Sequence, residues 1–326
     1  MKRNFFKSYE FYLIVLLIIV VILIGWINPA FLSVGTLFDV IRIQTVNMLL
    51  ALGLLPVVLL GGVDISFVAI AALTTFPIHM WLLKIGYTGG VWAYLALGLP
   101  LGLAIGLMIG FILNRFKIGI FDLSLGMNSM IYGFILFFVS SFQSADMSTG
   151  LVGWNSIALI TVDSVVGSSF LHVSFLFVVL FAILIHLFLT YTVLGRSIYA
   201  VGSNKSVALR SGINPLTVYL AVFGIMGLMA AVGGFVHSAI QSYFNPVLLL
   251  GKNLNVLAAV IMGGASIRGG KGTVLGTLLG VIIVGLISQA LVYLAIPTVW
   301  MDAFVGTFLI LFAVYQTIEN RERKVI

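Results

Sequence analysis

Residues 192–215, TVLGRSIYAVGSNKSVALRSGINP, form a polar, basic island between two long apolar runs. The island carries Arg196, Lys205 and Arg210 and no acid. Its second half, 203–211, mixes Val207, Ala208 and Leu209 with polar residues. Ser203 or Asn204 is placed to cap a short helix there, and Gly212 to stop it ahead of Pro215. A short helix set between two apolar runs does not cross lipid. It is either a solvated connector or a docking element for a partner, and the rest of the chain decides between them.

Composition fixes the class. Of 326 residues, 62% are hydrophobic and 8% charged, with a mean hydropathy of +1.25, whereas a soluble domain carries about 25% charged residues. This is a polytopic membrane protein. The formal charge of +7 does not point to nucleic acid, because the basic residues are scattered between apolar runs and read as topology signals. The absence of cysteine excludes disulfides and thiolate metal sites. His79, His172, His186 and His237 lie far apart, without metal-ligand spacing.

Outward from the island, apolar runs lie at 11–27, 40–60, 65–83, 91–113, 120–141, 170–190, 214–238, 254–266, 273–295 and 298–317. The first has the charge pattern of a signal peptide but no small-residue cleavage site, and is taken as a retained span. The expectation is an all-α protein of about ten transmembrane helices in a single domain, 1–326, the eighth run being too short to cross unaided. With the N-terminus inside, 13 of the 16 basic residues fall on the cytoplasmic side, and only Arg42, Lys84 and Lys252 fall outside. That asymmetry predicts an N-in, C-in topology, with 192–215 a cytoplasmic loop and 143–169 the longest outer one. The outer loop has Asp146 and Asp163, no basic residue, and apolar stretches suited to the membrane surface or to a short helix.

Gly98, Gly102, Gly106 and Gly110 recur every fourth residue, as do Gly272, Gly276 and Gly280. This is the spacing that lets helix backbones approach closely in lipid. VVLLGG at 57–62 and AVIMGG at 259–264 are weakly alike, a likeness attributable to coincidence.

No nucleotide-binding loop is present. In GGASIRGGKGT, 263–273, Lys271 is followed by Gly272, whereas phosphate cradling needs a Lys-Ser/Thr pair opening a helix. No nucleophile, base and orienting acid stand together either, so the chain is not expected to be an enzyme. Polar residues inside the apolar runs are more informative. Asp64 follows Pro56 and Gly61-Gly62; it is either a helix cap or part of a pathway. Arg42, Gln44 and Asn47 share a run with Pro56, and Asn128, Gln241, Asn245, Asn253 and Asn255 are further polar positions. The candidate pathway set is Asn47, Asp64, Asn128, Gln241, Asn253 and Asn255. Amides suit a neutral, hydroxyl-rich solute because each hydroxyl can pair with one.

Three stretches resemble one family. LPVVLLGGVDISF is similar to the LxxxLxGGIDLSVG signature of bacterial ABC importer permeases for ribose and related monosaccharides. GRSIYAVGSNKSVALRSGIN resembles that family's GRxIYAxGxNxxAAxxSGI segment, and LAAVIMGGASIRGGKGTVLGTLLG its AIAAxxxGGTSLxGGxGSxxGTxxG segment. The resemblance implies a ten-span subunit of the bacterial cytoplasmic membrane that pairs with a second copy or a homologue. Two cytoplasmic ATP-binding subunits would hold ATP and magnesium, leaving this chain without a cofactor, and a periplasmic or lipid-tethered binding protein would deliver the solute. By the same resemblance the island is a coupling helix that docks on the ATPase, through Gly195, Arg196, Ser203, Asn204, Lys205, Ala208, Leu209, Arg210, Ser211 and Gly212. The chain departs from the family where Asn253-Leu254-Asn255 stands in place of Glu-Leu-Asp, and where Phe-Val-Ala follows Asp64-Ile65-Ser66. The expected cargo is a small neutral polyhydroxylated solute, a monosaccharide first, with a polyol, furanose or nucleoside also open. The alternative is a secondary transporter driven by an ion gradient, which calls for embedded carboxylates near the midplane.

Overall fold

The computed structural model describes residues 9–139, 149–164, 167–241, 243–245, 249, 251–297 and 299–322. In order these form α1 Tyr9–Ile27, α2 Val34–Leu59, α3 Phe67–Lys84, α4 Val91–Phe116, α5 Ile120–Phe134 and α6 Thr149–Asn155. The hairpin β1 Ala158–Ser164 and β2 Gly167–His172 follows, then α7 Phe175–Tyr191, α8 Val193–Ser203, α9 Lys205–Arg210 and α10 Pro215–Gln241. Last come α11 Asn253–Met262, α12 Val274–Tyr293 and α13 Trp300–Glu322. Among the described residues, seven helices are long and apolar enough to cross a membrane. An eighth is counted if α7 and α8, bent by 73°, make one span; two shorter apolar helices, Asn253–Met262 and Trp300–Leu311, remain.

The centre of the bundle is α2. From Met48 to Leu59 its residues are buried on every face, as expected of a helix with apolar residues all round. The outer helix α1 instead leaves Ile18, Ile19, Ile22 and Leu23 exposed. The glycine stripe explains how α4 meets α10. A methyl at Gly102 would collide with the carbonyl of Gly227, one at Gly106 with that of Phe223, and one at Gly110 would come within 2.7 Å of the Tyr219 carbonyl oxygen. Gly98 faces the Thr74 carbonyl of α3 instead. The second stripe is shorter than the spacing predicts. Gly272 precedes α12, leaving Gly276 and Gly280 to pack on Gly263, just past α11, and on Ala259 within it.

The likeness between 57–62 and 259–264 has a structural counterpart, one residue out of register. At the end of α2, Gly61 has φ +82° and donates to the Val58 carbonyl, while Gly62 donates to that of Val57. At the end of α11, Gly264 has φ +91° and donates to Ile261, while Ala265 donates to Val260. Both helices stop in the same left-handed cap, a conformation that glycine adopts without Cβ strain.

The segment expected to be the longest outer loop holds both α6 and an antiparallel hairpin, with Thr161 opposite Phe170 and Ser164 opposite Gly167. The helix falls within expectation; the hairpin amends an all-α reading. It is held to the bundle by Ser169 Oγ, which donates to Asp39 Oδ2 at 3.0 Å, and by Phe170, 4.4 Å beneath the Arg42 guanidinium. Residues 1–8, 143–148 and 323–326, with Lys2, Arg3, Lys7, Asp146, Arg323 and Lys324, lie outside the described residues.

Candidate functional site

One helix is too short to cross a membrane, and one connector between helices is buried. With ten residues, α11 spans about 15 Å, half of a hydrocarbon core. The connector between α2 and α3 runs without helical structure through Gly62 to Ile65. These interruptions meet: Asn253 Nδ2, at the start of α11, donates to the Ile65 carbonyl at 3.1 Å, and the Ile65 N–H donates to Ser124 Oγ of α5 at 3.3 Å. Asp64, in the same connector, is fully buried. Its Oδ1 accepts from the Ser66 N–H at 2.5 Å and the Ser66 hydroxyl at 2.7 Å, which turns the chain into α3.

Asn47 Oδ1, Asp64 Oδ2, Asn128 Oδ1 and Asn253 Oδ1 are all buried, and none has a hydrogen-bond partner among the described residues. Leaving one buried acceptor unmade costs roughly 1–3 kcal/mol, which makes these four oxygens the candidates for a further hydrogen-bond partner. Ser124, on the same face of α5 as Asn128 one turn later, belongs with them and was not singled out in the sequence. Asn255 does not join them; two residues along a helix is about 200° of rotation, which turns it away from Asn253.

Gln241 belongs to a second feature nearer the hairpin. A cavity of about 370 Å³ is lined by Asp39, Arg42, Ile43 and Val46 of α2, with His237, Ile240 and Gln241 of α10. Lys252, just before α11, and Gln289 of α12 complete it. The α2 residues follow i, i+3, i+4, i+7 spacing, one helical face, which is the signal that would have gathered them from the sequence.

The polar segment 192–215 folds as its residues require. Asn204 caps α9, its Oδ1 accepting from Ser206 N–H at 3.1 Å and Val207 N–H at 3.2 Å. Gly212 takes φ +81° just past the helix end. Two expected contact residues are corrected. Ala208 is 3% exposed and faces the bundle, and Gly195 packs on Phe188 and Leu189 of α7; neither offers a surface. Instead Val207 and Leu209 are exposed beside Lys205 and Arg210.

The segment is braced on the end of α2. Gly202 packs against the Leu59 carbonyl so closely that no side chain fits, and Gly270 N–H donates to that same carbonyl at 2.8 Å. Tyr199 Oη donates to the Gly272 carbonyl at 3.0 Å. The exposed helix, the end of α2 and the glycine-rich loop after α11 therefore form one junction. Asp64 stands three residues beyond Gly61 in the same connector.

A multi-pass helical bundle with a polar interior and a braced surface helix defines a membrane permease. The chain belongs to the family described as branched-chain amino acid transport system / permease component, whose profile matches residues 36–314. It is similar to the ribose import permease protein RbsC of Escherichia coli (strain K12), at 28% identity over 99% of this chain and 98% of that one. It is also similar to the ribose import permease protein RbsC of Bacillus subtilis (strain 168), 29% identical over 90% and 88% of the two chains. The D-allose transport system permease protein AlsC of Escherichia coli (strain K12) is 28% identical over 90% and 87%. No solved structure matches the chain. The protein is a multi-pass component of the cytoplasmic membrane.

Proposed function

We propose that this chain is the transmembrane subunit of an ATP-driven importer of a small polyhydroxylated solute of the monosaccharide class. The curated relatives carry ribose and allose by name, and four buried acceptor oxygens without partners among the described residues suit the hydroxyl donors of such a solute. The end bearing α8 and α9 faces the cytoplasm in this reading, with both termini on that side. ATP and magnesium are held by separate ATP-binding subunits. A second copy or homologue completes the path, and a periplasmic or lipid-tethered binding protein loads it.

The observation that carries the proposal is the junction at Leu59. A partner that moves α9 moves the end of α2, and through it the connector holding Asp64. The chain itself does no chemistry: closure of the ATPase pair pushes the exposed face of α9, and the bundle rocks around the interrupted helices.

Gentle solubilisation of the tagged protein from its host membrane, with mass identification of what accompanies it, tests this. A stoichiometric ATPase is expected with the wild type and lost with Leu209→Glu and Arg210→Glu. Recovery of the wild type alone, under conditions that keep other ATP-driven importers whole, would overturn it and direct attention to Asp64 and an ion gradient.

A further inference from the structure

We propose that the transported solute is a polyhydroxylated monocarboxylate, an acid of the sugar series, whose carboxylate binds against Arg42 and Lys252 in the cavity between α2, α10, α11 and α12. This rests on the importer reading above and assigns a charge to its cargo.

The cavity has a built interior. Arg42 and Lys252 both line it, and among the described residues neither has a carboxylate within ion-pair distance. Arg42 lies over the face of Phe170. His237, 2% exposed, lines the same space with an Nδ1 that no described group meets. Inside a membrane bundle, an unpaired cation and an orphaned ring nitrogen are both costly to keep. An entering carboxylate satisfies both cations at once, through charge-assisted hydrogen bonds.

The stoichiometry narrows the class. Arg42 and Lys252 bring two formal positive charges, and Asp39 brings one negative. The surplus of one matches a monocarboxylate better than a phosphate dianion. Asp39, already accepting from Ser169 Oγ, Gln241 and Gln289 offer the acceptors and donors that sugar hydroxyls need. Asn253 and Asn255 follow Lys252 without adding an acid. At about 370 Å³ the space has the size of a small-molecule site. Sunk between helices, it admits a molecule rather than a protein surface.

The complete importer, this chain with the subunits that copurify with it, is reconstituted in phosphatidylcholine liposomes. ATP-dependent uptake is then measured for gluconate, glucuronate, galacturonate and ribonate against the matching neutral aldoses. The expected result is preference for an acid, with Arg42→Gln and Lys252→Gln each lowering its uptake about tenfold or more and Arg42→Lys keeping most of it. Aldose uptake indifferent to all three substitutions overturns the inference and leaves the importer intact. Sensitivity to Arg42→Gln only when phosphatidylglycerol is present also overturns it, in favour of a lipid headgroup. No ATP-dependent uptake of either class removes the importer reading, and this inference falls with it.

Discussion

The sequence context of Asp64 leaves two roles open, a structural one at the turn and a place in a pathway, and its two oxygens have different surroundings. One carboxylate oxygen caps the turn into α3 through Ser66; the other is buried and unpartnered. Two substitutions separate the roles. Asp64→Ala removes both bonds to Ser66 and should cost about 1.5–3 kcal/mol, the range for a hydrogen bond to a charged group, read as a lower melting temperature in detergent. Asp64→Asn keeps an oxygen for Ser66 and should melt close to wild type, yet carry solute more slowly because the second acceptor becomes a donor. Equal uptake by Asp64→Asn and wild type would leave Asp64 a cap alone. At this scale the sequence exposed identity but not direction. Asn128 and Asn253 stood out as amides in apolar runs, and their buried oxygens face no described partner. Asn255 stood out equally and points elsewhere, while Ala208 turned inward because a single turn of α9 decides its face. His237 was passed over as a lone histidine. Only the fold sets it beside Arg42 and Lys252.

Among the elements, the tightest pairing is α4 with α10. The fourfold glycine spacing was legible because close approach in lipid demands it; the partner was not, since a stripe does not name what it touches. Gly106→Leu would drive a side chain into the Phe223 carbonyl. It should cost at least the ~1–3 kcal/mol of an overpacked core, and measurably lower both yield and melting temperature. Gly126→Leu, with open space at its Cβ, should be tolerated, and comparable losses in the two variants would count against the contact. The hairpin was missed because its residues sit in an outer loop whose apolar stretches read as surface helix. The β-branched run through Ile160, Thr161 and Val162 was its signal. Its last residue, His172, is buried with both ring nitrogens used: Nε2–H donates to the Trp154 carbonyl at 3.2 Å, and Nδ1 accepts the Ser174 N–H at 3.1 Å. Burial, with Arg42 nearby, holds its pKa below the usual histidine value. Since the folded value lies below the unfolded one, this contribution is full above about pH 6.5 and is lost as the pH falls. Hydrogen exchange in β1 and β2 should quicken on acidification, and His172→Gln should flatten that dependence.

At the scale of the whole molecule, the proposed mechanism joins a surface helix to a polar interior, and both ends of that link were legible in the sequence without the link itself. The polar island and the Asp64 segment are far apart in the chain. Their meeting rests on Gly202, Leu59 and Gly270, residues that carry no chemistry and match no functional pattern. Gly61, in its left-handed cap, lies against Arg268 and Gly269 of the loop after α11; a backbone angle of that kind is invisible in a run of apolar letters. The junction can be weakened without touching the docking face. Tyr199→Phe deletes the hydrogen bond to the Gly272 carbonyl, a net loss of about 0.5–1.5 kcal/mol. Gly202→Val forces α8 away from Leu59. Both leave Val207, Leu209 and Arg210 exposed, so the ATPase should still copurify. Uptake per ATP hydrolysed should fall modestly with Tyr199→Phe and nearly to background with Gly202→Val. The opposite pattern, in which the ATPase is lost while the surviving complexes keep full coupling, would show that α8 serves only to present α9, and that force reaches α2 by another contact.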